Sequence, residues 1–207
     1  PDAPAEPAAE PEAPSVASVL EAQVELHRRG FSCGSIDGVM GLQTARALKA
    51  FQRASDIPET GQLDADTRGH LRLTAPATTT HIFAAAELAD LHPVPVTWLE
   101  KSQEVTLGYA TALELVAERY RASPGLVVRL NPRVNWNAVA AGTLVNVPAV
   151  ERVAFKDKAA QIKIRLAEHE LEVLDADGRI IVFFPVSIAK KVEKRPVGEL
   201  YVKVVIP

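Results

Sequence analysis

The chain has 207 residues, of which 47% are apolar and 24% charged, and its formal net charge is -3. Those values describe a folded protein of one or two ordinary domains, or several very small ones. They exclude strong electrostatic attraction to nucleic acid, and no apolar run approaches the length of a membrane-spanning helix.

Residues 1–15 open with PDAPAEPAAEPEAP. That composition cannot bury a core and predicts a flexible, extended tether. It reads as a link from an export signal or lipid anchor to the first domain, or as a tail with no role of its own. Ser15 is the predicted start of a helix in which Val16, Val19, Leu20, Gln23 and Leu26 recur at helical spacing, and Gly30 stops it. Next comes IDGVMGLQTARALKAFQ, residues 36–52. Asp37-Gly38 and Gly41 predict a tight reversal into a second helix. In that helix Leu42, Ala45, Leu48 and Phe51 share an apolar arc, and Arg46, Lys49 and Arg53 form a basic stripe opposite. Ile57-Pro58 breaks the pattern. Asp64 or Asp66 then caps a short third helix toward Leu71.

TAPATTT, residues 74–80, reads as a linker, and His81 to Phe83 as a short strand. Residues 84–107 have no clean period and read as an insertion. Leu113, Val116, Ala117 and Tyr120 predict a helix with one buried face, and Ser123-Pro124 opens another that ends at Asn131-Pro132. Thr143 to Pro148 alternates like a strand. Beyond it, Ile162–Leu166, Leu171–Leu174 and Ile180–Val186 predict strands, with Asp177-Gly178 as a hairpin signal between the last two. Leu200–Val205 is predicted as one more strand.

Three resemblances follow from these stretches. Ala22-Gln23, Leu26, Gly30-Phe31, Asp37-Gly38, Gly41, Phe51-Gln52, Thr60-Gly61-Gln62-Leu63-Asp64, Thr67 and Leu71 resemble the three-helix peptidoglycan-binding domain of bacterial wall hydrolases and transpeptidases. Leu130-Asn131-Pro132 and Gly142-Thr143-Leu144 resemble a LysM module, a βααβ unit that binds N-acetylglucosamine chains. Its usual Gly-Asp-Thr opening is replaced here by Gly108-Tyr109-Ala110-Thr111. Pro185-Val186-Ser187 and Pro196-Val197-Gly198-Glu199-Leu200 resemble the opening strands of an L,D-transpeptidase of the YkuD type, with Arg195 and Val197 in place of threonines. The implied fold class is α+β and multi-module. A tether (1–15) leads to a three-helix peptidoglycan-binding domain (16–73), a linker and insertion (74–107), and a LysM-like module (108–150, with 81–83 as its first strand). An incomplete antiparallel β domain (158–207) follows.

The transpeptidase resemblance implies acyl transfer through a cysteine thiolate in a Ser-x-Gly-Cys-x-Arg context. Residues 1–207 contain no such motif. Cys33 reads as a small loop cysteine, so no catalytic residue is assigned and this stretch is expected to be inactive by itself. No metal is expected, because His27, His70, His81, His92 and His169 lack metal-ligand spacing, and no cofactor is implied. The expected partner is peptidoglycan, with no nucleic acid and no membrane span, and exposed strands would allow a dimer. The expected location is the periplasm or cell envelope, after export. Candidate ligand-binding residues are Arg46, Lys49 and Arg53, whose charges could grip stem-peptide carboxylates, and Asp37. A solvated helix face is the competing reading of the stripe, and a turn-holding role that of Asp37. The expected function is the wall-targeting region of an L,D-transpeptidase that cross-links stem peptides. The alternative is a non-catalytic wall-binding or scaffold protein.

Overall fold

The computed structural model describes residues 13–150 and 157–205. Most of the predicted tether, residues 1–12, lies outside the described residues.

The first unit contains α1 (Val19–Arg28), α2 (Leu42–Ala54) and α3 (Ala65–His70). Ser18, not Ser15, starts α1: its hydroxyl accepts from the Glu21 N–H while Glu21 reaches back to the cap. This reciprocal capping box satisfies N–H groups that a helix end otherwise leaves unpaired. Ser15 instead bridges Arg72 in an antiparallel pair that closes the unit. Of the two candidate caps for α3, Asp64 holds the position, accepting from Thr67 N–H, and Asp66 lies within the first turn. In α2 the buried face consists of Thr44, Ala47, Leu48, Ala50, Phe51 and Gln52. Leu42, expected on the apolar arc, is 68% exposed as the first residue of α2.

The second unit contains β1 (Thr78–Ile82), α4 (Ala85–Ala89), α5 (Trp98–Gln103), α6 (Ala112–Arg119), α7 (Pro124–Leu130) and β2 (Leu144–Pro148). The strand starts earlier than predicted, so Thr78–Thr80 leave the linker and pair with β2. The antiparallel register runs from Thr78 opposite Pro148 to Ile82 opposite Leu144. β-branched threonines suit a half-exposed edge of this kind. Ser123 caps α7 with Pro124 in its first turn. The buried Asn131 side chain then donates to the Val127 and Asn146 carbonyls and accepts from Asn146 N–H, tying the end of α7 to β2. The insertion forms the short helices α4 and α5, in which no residue is buried.

The third unit is an antiparallel meander of β3 (Gln161–Arg165), β4 (Glu170–Leu174) and β5 (Ile180–Pro185), followed by a single 3-10 turn at Val192–Lys194. Asp175 holds the β4–β5 hairpin by accepting from the Asp177 and Arg179 N–H groups. Leu200–Val205 is not a strand. Its side chains are exposed, and no strand among the described residues lies beside it to complete a ladder.

Backbone hydrogen bonds join the units. Ser32 N–H donates to Phe183 C=O at 2.8 Å and Phe183 N–H to Gly30 C=O at 3.0 Å, a parallel bridge between the first unit and β5. On the other side Ile36 N–H donates to Arg121 C=O and Ser123 N–H to Ile36 C=O, both at 2.8 Å. Arg28 adds bonds to the carbonyls of Ala75, Pro76 and Ala149. One apolar core runs through all three units, from Leu26 and Phe51 through Val116 and Val127 to Phe183. Phe183 is 1% exposed and central to the junction with the third unit. Phe183→Ala should therefore lower unfolding stability by about 3–5 kcal/mol, read as a shift of the urea midpoint.

Candidate functional site

Two buried glutamines build the first unit's surface. Gln23, on α1, accepts from the N–H groups of Asp37 (3.1 Å) and Gly38 (2.7 Å). Its amide nitrogen faces Asp37 Oδ1 (2.8 Å), Thr44 Oγ1 (3.0 Å) and the Val39 carbonyl (3.1 Å). Gln52, on α2, accepts from Gly61 N–H at 2.8 Å and faces Thr67 Oγ1 (2.7 Å), Thr60 Oγ1 (2.9 Å) and the Gln62 carbonyl (3.1 Å). Each glutamine thus satisfies the backbone of one turn from inside the helical unit, where an unpaired polar group would cost about 1–3 kcal/mol. Gly61 could not be replaced easily: its φ is +68°, and a Cβ would lie 3.1 Å from the Ala45 carbonyl. The sequence places both glutamines in the motif, but their roles emerge only when the turns fold over them.

Asp37 serves its own turn. Besides the bond from Gln23, its Oδ1 accepts from Val39 N–H at 2.9 Å. The basic stripe does not face open solvent throughout. Arg46 lies 3.5 Å from Glu170. Arg53 pairs with Glu59 at 2.8 Å and with Glu172 at 2.7 Å, and Glu172, buried in β4, also accepts from Arg165 at 3.1 Å. These carboxylates, Glu59 first, raise the Arg53 pKa above its ordinary value. Lys49 is exposed, with its aliphatic stem against Gly61. The structure therefore brings Arg46 and Arg53 onto the sheet and leaves Asp37 at the other end of α2.

Residues 15–71 match the family model of the peptidoglycan binding domain. They are a peptidoglycan-binding domain. Comparison with curated proteins gave no match. The peptidoglycan-binding domain associates this chain with the cell wall. No described helix is long and apolar enough to cross a membrane. Among the described residues no group of three His, Cys, Asp or Glu is placed to hold a metal ion.

Within the peptidoglycan-binding domain, buried Glu25 is paired with Arg28 and Arg29, while two further titratable groups, His27 and Cys33, are buried without an ion pair among the described residues. His27 Nε2 lies 3.0 Å from the Gly34 carbonyl, which can only accept, so that nitrogen carries the hydrogen and the buried Nδ1 has no partner. Burial pushes His27 down to about 4, with the positive charge of Arg121 adding to the effect and the Gly34 carbonyl opposing it. Burial likewise pushes the Cys33 thiol up to about 12, and Cys33 is 2% exposed. It is a core residue without nucleophilic character.

His27 makes stability pH-dependent. The unfolded chain takes up this proton near pH 6.5 and the folded chain only near 4, so the stabilisation is complete above about 6.5. It should fall by about 3 kcal/mol as the pH drops to about 4. Urea midpoints at pH 7.5 and 4.5 should show this drop, reduced in His27→Gln. Cys33 should resist an aromatic disulfide reagent in the native protein and react at once in denaturant.

Proposed function

We propose that this chain is a wall-targeting region in which a peptidoglycan-binding domain is fused rigidly to two further units. The match over residues 15–71 supports the wall-binding part. The rigidity rests on the double backbone bridging of residues 30–36 and on the shared core. In this reading the second unit is a LysM-like module. Support for that comes from the pairing of β1 with β2 around α6 and α7, and from Asn131 pinning α7 to β2. The third unit reads as the opening strands of an L,D-transpeptidase domain. The β3–β4–β5 meander and the Pro185-Val186-Ser187 stretch support this. A protein built this way would be exported and would work in the periplasm or cell envelope. Binding would hold the attached domain near stem peptides and raise its local substrate concentration.

Stem-peptide carboxylates could be gripped by Arg46, Lys49 and Arg53, with Asp37 shaping the turn nearby. Such binding would compete with Glu59, Glu170 and Glu172 for the same guanidinium groups. That competition favours a second role for the stripe, that of an internal clamp, whether the chain targets a transpeptidase or is a non-catalytic wall-binding or scaffold protein.

Sedimentation with insoluble peptidoglycan tests both. The wild-type chain should pellet with the wall, and an intact chain that stays in the supernatant would overturn the wall-binding reading. An Arg46→Ala, Lys49→Ala, Arg53→Ala variant separates the roles of the stripe. A loss of binding of about tenfold or more at unchanged melting temperature would make it the grip on the wall. Lost stability with binding retained would make it the clamp.

A further inference from the structure

Within the peptidoglycan-binding domain, the large apolar side chains exposed among the described residues are Val39, Met40 and Leu42, at 55%, 42% and 68%. They lie within four consecutive residues, around Gly41. Their turn is fixed from beneath by Gln23, Asp37 and Thr44, so the three side chains are presented on a rigid base. Exposed apolar residues held this way depart from a scattered surface pattern. The second unit reaches the same turn. Leu126 of α7 lies under Gly38, where an added Cβ would be 3.8 Å from its Cδ1. Arg129, exposed on α7, donates from its guanidinium to the Asp37 carbonyl.

We propose that Val39, Met40, Leu42 and Arg129 form a composite site for the peptide stems of peptidoglycan, shared between the first two units. The inference rests on the wall-binding reading of residues 15–71. Three features select the occupant. The patch is aliphatic and contains no aromatic ring, which suits alanyl methyl groups better than the flat face of a sugar. Arg129 brings to the turn a cation complementary to a stem carboxylate; its bond there is to the Asp37 carbonyl, and among the described residues no carboxylate forms an ion pair with it. The alternative cations, Arg46 and Arg53, already face carboxylates of this chain. Binding at the turn requires no displacement of the sheet. The second unit is then part of the recognition surface and not a passive neighbour.

The test is sedimentation of the whole chain with peptidoglycan that keeps its stems and with glycan strands stripped of their stems by an amidase, both coupled to beads because stripping also removes the cross-links that make the wall insoluble. Two variants are compared, Met40→Ser with Leu42→Ser, and Arg129→Gln, each checked for an unchanged melting temperature. A Val96→Ser change, at an exposed position in the insertion, serves as control. The double variant should weaken binding by about tenfold or more, and the stripped glycan should bind as weakly. Arg129→Gln should weaken binding and flatten its dependence on ionic strength. Wild-type sedimentation by the double variant would overturn the apolar site, and equal binding of stripped and intact wall would overturn the choice of peptide stems. An unchanged salt dependence in Arg129→Gln would remove Arg129 from it. If the wild-type chain fails to sediment with intact wall, the wall-binding reading itself falls, and this site with it.

Discussion

The structure depends on one short piece of chain, residues 30–36, which sends backbone hydrogen bonds from each of its ends into a different neighbouring unit. Its N-terminal end bridges Phe183 of β5, and Ile36 bridges Arg121 and Ser123 at the turn between α6 and α7. A loop between two helices would ordinarily give these groups to water. Here they are satisfied by two other units, and Phe31, Cys33 and Ile36 are buried beside them. Buried backbone groups without partners are costly, so separating either unit would expose apolar surface and break bonds at the same time.

Charge reinforces the same geometry. Glu172 is buried between Arg53 and Arg165, and Arg46 approaches Glu170 from the same helix. A buried carboxylate is tolerated only when its charge is met by partners and hydrogen bonds, and two guanidinium groups meet it here. Their more lasting effect is on orientation, since they fix which face of α2 meets the sheet. The opposite end of α2, with its rigid turn, remains open. Binding energy directed to that end would move the whole three-unit body together and not one helical bundle on a string.

Much of this was legible in residue order. The helix boundaries at Gly30, the Asp64 cap, the Ser123-Pro124 start of α7 and the Asp177-Gly178 hairpin all follow from local rules, because turn and cap chemistry is decided by a few adjacent residues. The first helix shows how such rules fail when two residues compete. Ser15 and Ser18 are both acceptable caps, and Ser18 prevails because Glu21 stands three residues after it. Thr78–Thr80 has the composition of a linker yet pairs as a strand, because β2 offers a ladder that sequence cannot display.

Residue order places a three-helix domain over residues 16–73, with the reversal at Asp37-Gly38 and Gly41 and with Gln23 and Gln52 in its motif, since that pattern is local and periodic. What those residues face is set by packing between distant segments. The basic stripe of α2 reads from sequence as a solvent face or a grip for ligand, because periodicity fixes which side chains share a face and not what lies opposite. Glu170 and Glu172 arrive there from more than 110 residues away, carried by a sheet whose docking depends on Phe183 and the bridge to Phe31. Arg129 reaches the Asp37 turn in the same way. Contacts between segments so distant in the chain leave no local signal, and they settle which surfaces are closed and which remain open.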